Sequence, residues 1–331
     1  MYKKKLMLLS VLCGAAQMTF ANTYPQPRII NGDIVTVAQI PWQAAIVGDT
    51  EDSYQSYLCS ATLIAERWVL TAAHCIEKLQ ATRQQGYILL GTINLQAKSE
   101  GQRIKIKQTY IHEQYDNQTF NNDIALIELA KSIDFGECGA SCTTIAFLPP
   151  TMEQHYATIN SFVQVAGWGA LEDCQNNSQS EVCQKYAGQI LRQPELYPTT
   201  LRTTTLKLSA CISPHSKYIS AQISENMLCA EMPMQDSPTD TCFGDSGAGL
   251  TTQKERDKPY LLGVASWGVG CAKKGYAGVY TRVANYTDWI ESYTLSDKNN
   301  DELKEKHAGS IGFITVFLLM GFGMISSRLR R

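Results

Sequence analysis

The sequence predicts an all-β fold of closed barrels or sandwiches, and three observations predict it. From Ile29 to about Leu295 the chain passes through many short segments rich in Val, Ile, Leu, Thr and Tyr. Gly, Asn, Asp, Ser or Pro often lie between them, the residues that turn a chain between strands. Helical patterning appears only at the end of this stretch, and no repeat of solenoid length is present.

In chain order the strand-like segments include Gln43 to Val47, Trp68 to Thr71, Tyr87 to Leu90, Arg103 to Lys107 and Ile124 to Leu129. Phe162 to Ala166, Tyr260 to Trp267 and Gly278 to Val283 follow. Between Val283 and Thr294 the period changes: Val283, Tyr286, Trp289, Ile290 and Tyr293 fall on one helical face. The net charge of -2 offers no basic field, so no nucleic-acid partner is expected.

Both ends differ from this middle. Lys3, Lys4 and Lys5 precede an apolar run from Leu6 to Ala16, which closes on Thr19-Phe20-Ala21. That is the pattern of a secretory signal peptide over residues 1–21, and the run is too short for a comfortable membrane span. Cys13 would leave with the signal. Leu12 before it is too bulky for a lipoprotein signal. Ten cysteines then remain for an oxidising compartment, and the CxxC pairs of zinc modules are absent, so disulfides are expected.

At the other end, residues 296–308 read as a polar linker. Residues 309–331 hold an apolar run from Ile311 to Ile325 and end on Arg328, Arg330 and Arg331. A helix from Gly309 to Ser327 would be roughly 28 Å long, near the ~30 Å of a hydrocarbon core, with its basic end in the cytoplasm.

Three segments carry the chemistry: Thr71-Ala72-Ala73-His74-Cys75, Asn122-Asp123-Ile124-Ala125-Leu126 and Gly244-Asp245-Ser246-Gly247. Peptide hydrolysis needs a nucleophile, a base and a stabiliser of the oxyanion. A serine hydroxyl attacks only when a neighbouring base takes its proton. A histidine does this near neutral pH, and a buried carboxylate fixes its tautomer. Ser246, His74 and Asp123 fit these catalytic roles, and the N–H groups of Gly244 and Ser246 fit an oxyanion hole. Each residue alone is a weak signal; the order His, Asp, Ser in these local contexts is specific.

With Ile29-Ile30-Asn31-Gly32, Pro41-Trp42-Gln43, Gly167-Trp168-Gly169, Asn226-Met227-Leu228-Cys229-Ala230, Ser266-Trp267-Gly268 and Gly278-Val279-Tyr280 added, residues 29–295 resemble the chymotrypsin/trypsin-like serine protease family throughout. The resemblance implies two packed six-stranded antiparallel β-barrels with a C-terminal helix and the site between them. It implies a pro-segment over residues 22–28, cut after Arg28 by an activating protease, so that the Ile29 amine pairs with Asp245. It also implies a pocket with Asp240 at its floor and Gly268 and Gly278 on its walls, taking the Lys or Arg of a protein or peptide substrate. Ser266 would help bind the substrate backbone.

Disulfides Cys59–Cys75, Cys211–Cys229 and Cys242–Cys271 carry over from the family. Cys138, Cys142, Cys174 and Cys183 allow three pairings, of which the local Cys138–Cys142 and Cys174–Cys183 are favoured. No cofactor is expected. No metal is either, because Thr92 stands where the family's calcium loop has a carboxylate. Two departures stand out. Ala248-Gly249 replaces the usual Gly-Pro, placing a β-carbon close behind Ser246. The stretch from Ala170 to Thr200 is longer than the family core and is expected to rim the cleft.

The tail resembles the bacterial GlyGly-CTERM sorting signal, though Ala308-Gly309-Ser310 lacks the paired glycines. That resemblance implies a bacterial protein held in the membrane through this segment, then clipped and sent to the cell surface. A non-catalytic binding protein on the same fold is the alternative; it would ordinarily have lost a member of the triad.

Overall fold

The computed structural model describes residues 32–97, 99–233, 240–252 and 258–295. The expected signal peptide, pro-segment, Arg28, Ile29, the expected linker and the C-terminal apolar segment lie outside the described residues.

After the two-residue strand β1 (Asp33–Ile34), six strands close the first barrel: β2 (Gln43–Val47), β3 (Tyr57–Ala65), β4 (Trp68–Thr71), β5 (Tyr87–Leu90), β6 (Gln102–Ile111) and β7 (Ala125–Leu129). The ring runs β2-β3-β4-β7-β6-β5, antiparallel throughout, and β5 returns to β2 with Ala45 opposite Leu89. The short β8 (Ala146–Phe147) then leads to the second ring. Its strands are β9 (Phe162–Gly167), β10 (Arg202–Ser209), β11 (Met227–Glu231), β12 (Gly249–Thr252), β13 (Tyr260–Trp267) and β14 (Gly278–Arg282). They close in the order β9-β10-β11-β14-β13-β12, with β1 added along β10 and β8 along β13. Closure leaves neither sheet a free edge in its ring.

Alternation is visible where one face meets water: Gln102, Ile104 and Ile106 are buried while Arg103, Lys105 and Lys107 are exposed. β2 and β7 are buried on both faces. Ile46, Leu63, Leu70, Ile88 and Ile104 fill the first barrel, and Val163, Val165, Leu206, Leu250 and Leu262 the second.

The expected terminal helix forms as a 3-10 turn over Val283–Tyr286 followed by an α-helix over residues 287–295. Val283, Tyr286 and Ile290 are buried, and Trp289 and Tyr293 pack against the first barrel's core, Tyr293 lying 4.6 Å from the Tyr110 ring. This helix therefore straps the second half of the chain to the first.

The reading that helical pattern appears only there needs correction. An α-helix covers Ala73–Thr82, and shorter ones cover Phe135–Cys138, Pro150–Tyr156 and Glu181–Lys185. The first of these buries Ala73, Cys75, Ile76 and Leu79, a narrow stripe with small residues that periodicity does not detect.

All five disulfides form: Cys59–Cys75, Cys138–Cys142, Cys174–Cys183, Cys211–Cys229 and Cys242–Cys271. Among the described residues no helix is long and apolar enough to cross a membrane.

Candidate active site

β4 ends at Thr71, Ala72 stays extended, and the helix begins at Ala73, so His74 sits in its first turn. The Cys59–Cys75 bond ties that turn to β3. Asp123 comes from the turn before β7. Asn122 there holds φ +56°, a left-handed conformation that Asn tolerates better than most residues. Its buried side chain donates to the Gln114 carbonyl at 2.7 Å and accepts from Tyr286 Oη at 2.8 Å and Asn226 Nδ2 at 2.9 Å. Three chain segments thus clamp the turn that presents Asp123.

Asp123 is fully buried. Its Oδ1 accepts the His74 backbone N–H at 3.0 Å, and its Oδ2 lies 2.7 Å from His74 Nδ1. Ser266, on β13, donates its hydroxyl to the same Oδ2 at 2.6 Å. The His74 contact suits a proton on Nδ1 facing a carboxylate oxygen, and Nε2, on the other side of the ring, lies 3.7 Å from Cys75 Sγ. Sequence reading placed Ser266 beside the substrate backbone. Its side chain joins the Asp123 network, because β13 of the second barrel passes directly against the turn of the first, and this leaves the Ser266 backbone free for the expected role.

Ser246 lies across the interface on the second barrel's side, half-buried, and its carbonyl accepts the Ser60 N–H of β3 at 2.9 Å. Among the described residues no hydrogen bond joins Ser246 Oγ to His74 Nε2, a contact that in such sites tightens when substrate binds. Gly244 at φ +103° and Gly247 at φ +81° need glycine. A β-carbon on Gly247 would also strike the Ser60 carbonyl and the Thr71 hydroxyl.

Asp245 points inward and is 1% exposed. Its oxygens accept the N–H groups of Gly169 and Cys242, each at 2.8 Å. Burial pushes its carboxyl up to about 6. Gly167 and Gly169 flank it with no room for a side chain: a β-carbon on Gly169 would fall within 2.6 Å of three Asp245 carboxyl atoms. The Gly-Trp-Gly pattern therefore makes space for this carboxylate.

Asp240 is 5% exposed. Among the described residues it accepts the N–H groups of Thr241 at 2.8 Å and Ala272 at 2.9 Å, with a longer contact from the Thr241 hydroxyl. Among the described residues no cation pairs with it. Burial drives its carboxyl up to about 7, against those two N–H groups, which favour the ionised form. Gly278 flanks it, since a β-carbon there would sit 3.4 Å from Asp240 Oδ1. A β-carbon on Gly268 would meet only open space beyond the Gly270 carbonyl at 3.8 Å.

The trypsin family model matches residues 29–290. The chain belongs to the trypsin family. It is a trypsin-like serine endopeptidase by that membership and by its relatives. It is 33% identical over 298 residues to a trypsin from Tyrophagus putrescentiae, covering 86% of this chain and 90% of that one. A trypsin from Aedes aegypti is 33% identical over 267 residues, covering 80% and 84%. Human tissue-type plasminogen activator is 31% identical over 287 residues, covering 84% of this chain but 46% of its own. These relatives are eukaryotic.

Two features of this trypsin-family chain separate it from the family pattern. The methyl of Ala248 does not crowd the site; it is fully buried in the second barrel's core beside Leu250 and Leu262. The long stretch after Ala170 is pinned by Cys174–Cys183 and returns along the cleft wall near Tyr57 and Gly244. Cys59, His74 and Cys75 bring ligand-type atoms within 4.8 Å of one another, but the two sulfurs are bonded to each other and offer no thiolate to a metal. The clamp around Asn122 was not assigned from sequence. Its partners are 8, 104 and 164 residues away, and only an Asn at the start of an Asp-Ile-Ala run hinted at it.

Proposed function

We propose that this protease cuts peptide bonds after Lys or Arg, using Ser246 as nucleophile, His74 as base and Asp123 as its orienting carboxylate. The observation that carries the specificity is Asp240. It is a buried carboxylate with two N–H donors and, among the described residues, no cation, and Gly278 stands against it. An incoming ammonium or guanidinium would supply the missing charge, whereas an apolar side chain would leave a desolvated acid unpaired.

The hydroxyl of Ser246 would attack the scissile carbonyl while His74 Nε2 takes its proton. The developing imidazolium would be held by Asp123, itself fixed by Ser266. The N–H groups of Gly244 and Ser246 would face the oxyanion, and His74 would return the proton to the leaving amine.

Cleavage after Arg28 by another protease is the proposed activation. The new Ile29 amine, ordinarily of pKa ~7.7–8, would pair with Asp245, whose burial otherwise penalises its charge. Because Asp245 lies between Gly244 and Ser246, that pair would set the oxyanion donors. Five disulfides fit an extracellular, oxidising compartment. Export by the N-terminal signal and passage through a membrane by the C-terminal segment complete the proposal.

The test is turnover of matched peptide reporters carrying Arg, Lys, Phe or Ala before the scissile bond, with the full chain before and after cleavage at Arg28. Turnover of Arg and Lys reporters alone, arising on cleavage and absent in Ser246→Ala, is expected. Turnover of the Phe reporter would refute the part given to Asp240, and none at all would favour the binding-protein alternative.

A further inference from the structure

One half-buried cation has no place in the triad, the pocket or the activation step. Arg192 lies in the long stretch between β9 and β10. Its guanidinium carbon lies 5.2 Å from the ring centre of Tyr54, 4.7 Å from that of Tyr57 and 4.5 Å from that of Tyr197. Such stacking is favourable, yet the group is poorly bonded. Nη2 donates to the Trp168 carbonyl at 2.6 Å, while Nε is buried with no hydrogen-bond partner among the described residues. A desolvated cation with an unmatched donor is costly to keep.

The site is nonetheless built to hold it. Arg192 N donates to Gln55 Oε1 and Gln55 Nε2 donates back to the Arg192 carbonyl, both at 3.0 Å. Tyr54 donates to the carbonyl of Tyr197 at 2.7 Å, closing the box.

What the guanidinium touches explains the arrangement. Two routes lead from it to the loop that holds Ser246. Through Trp168 it grips the peptide whose next N–H, that of Gly169, donates to Asp245. Through Tyr57 it backs the ring whose hydroxyl donates to the Gly244 carbonyl at 2.7 Å. Nη1 also lies 3.9 Å from where a Gly244 β-carbon would stand, so it faces the glycine itself. Its positive charge favours ionised Asp245 next in the chain.

We propose that Arg192 is a positioning residue for the oxyanion loop, fixing the Gly244 peptide through Tyr57 and through the Trp168–Gly169 wall. Gly244 at φ +103° has no side chain to set its own orientation, so an outside clamp does so. The inference rests on the proposed function, since the carbonyl so held belongs to the residue whose N–H would face the oxyanion.

Arg192→Met keeps length and removes charge, Arg192→Lys keeps charge, and Tyr57→Phe keeps the ring and removes the hydroxyl. Steady-state kinetics of each on an Arg reporter, with the processed full chain, should show kcat reduced ~10-fold in Arg192→Met and Tyr57→Phe with KM nearly unchanged. Arg192→Lys should recover part of that loss, and the double variant should lose less than the product of the two single losses. A lower melting temperature with kcat intact would make Arg192 a stabilising residue only and overturn the proposal. If the unaltered chain turns over no reporter, the proposed function fails instead, and ¹⁵N-glycine labelling decides the point separately. The Gly244 amide resonance should move in Arg192→Met and return toward its place in Arg192→Lys; an unmoved resonance overturns the positioning role.

Discussion

The charge state of Asp240 offers a measurement that separates the pocket from the chemistry. Its carboxyl is held at about 7 by burial, against 3.8 for the free side chain. A cationic ligand binds the ionised form, so the free energy of binding must first cover loss of the proton when the solution lies below that value. At pH 5 roughly one pocket in a hundred would be ionised, while at pH 8 roughly nine in ten would be. Affinity for an aryl-amidinium probe should therefore fall ~100-fold from pH 8 to pH 5, with a bend near pH 7.

The folded value is raised, so the folded chain holds this proton more tightly than the unfolded chain does. Stability from this group is accordingly present at low pH and declines as pH rises from about 4 to about 7. The ceiling on that decline is ~4 kcal/mol, from a shift of about 3 units. Asp240→Asn should remove that decline together with probe binding.

The assay is calorimetric titration of Ser246→Ala with the probe at pH 5, 6, 7 and 8, in two buffers of different ionisation heat. About one proton should be released per probe bound at pH 5 and almost none at pH 8. Equal affinity at pH 5 and pH 8, or no proton release at pH 5, would mean that the empty pocket is already ionised and would refute the burial argument.

Two further outcomes follow from the same geometry. Ser266→Ala removes a 2.6 Å charge-assisted bond to Asp123, so kcat on an Arg reporter should fall ~10-fold with KM little changed. Steady-state kinetics checks this, and an unchanged kcat would show that His74 alone holds the carboxylate. Gly169→Ala forces a β-carbon against the Asp245 carboxyl group and should destabilise the fold by ~2–3 kcal/mol. Urea denaturation checks that, and wild-type stability would show that Asp245 has another place to go.

Much of the molecule was legible in order along the chain. The strand segments Gln43–Val47, Trp68–Thr71 and Tyr260–Trp267 were readable to the residue, because each is a run of β-favouring residues. The final helix was readable from its period. The helix carrying His74 was not, since its buried stripe is four residues of mixed size. The surroundings of Ala248 were not legible either. A β-carbon behind Ser246 is a steric question only if the space is filled, and the barrel core has room for a methyl there.

The sequence by itself determined the identity and order of the reactive groups, the all-β character and the cysteine count, because these depend on residue types and short spacings. Tertiary structure alone decided what each group meets. Ser266 serves Asp123, Asn122 is clamped by Gln114, Asn226 and Tyr286, and Arg192 faces Tyr57 and Trp168. Those contacts span 8 to 164 residues, and closing two barrels against each other brings most of them together from segments far apart in the chain.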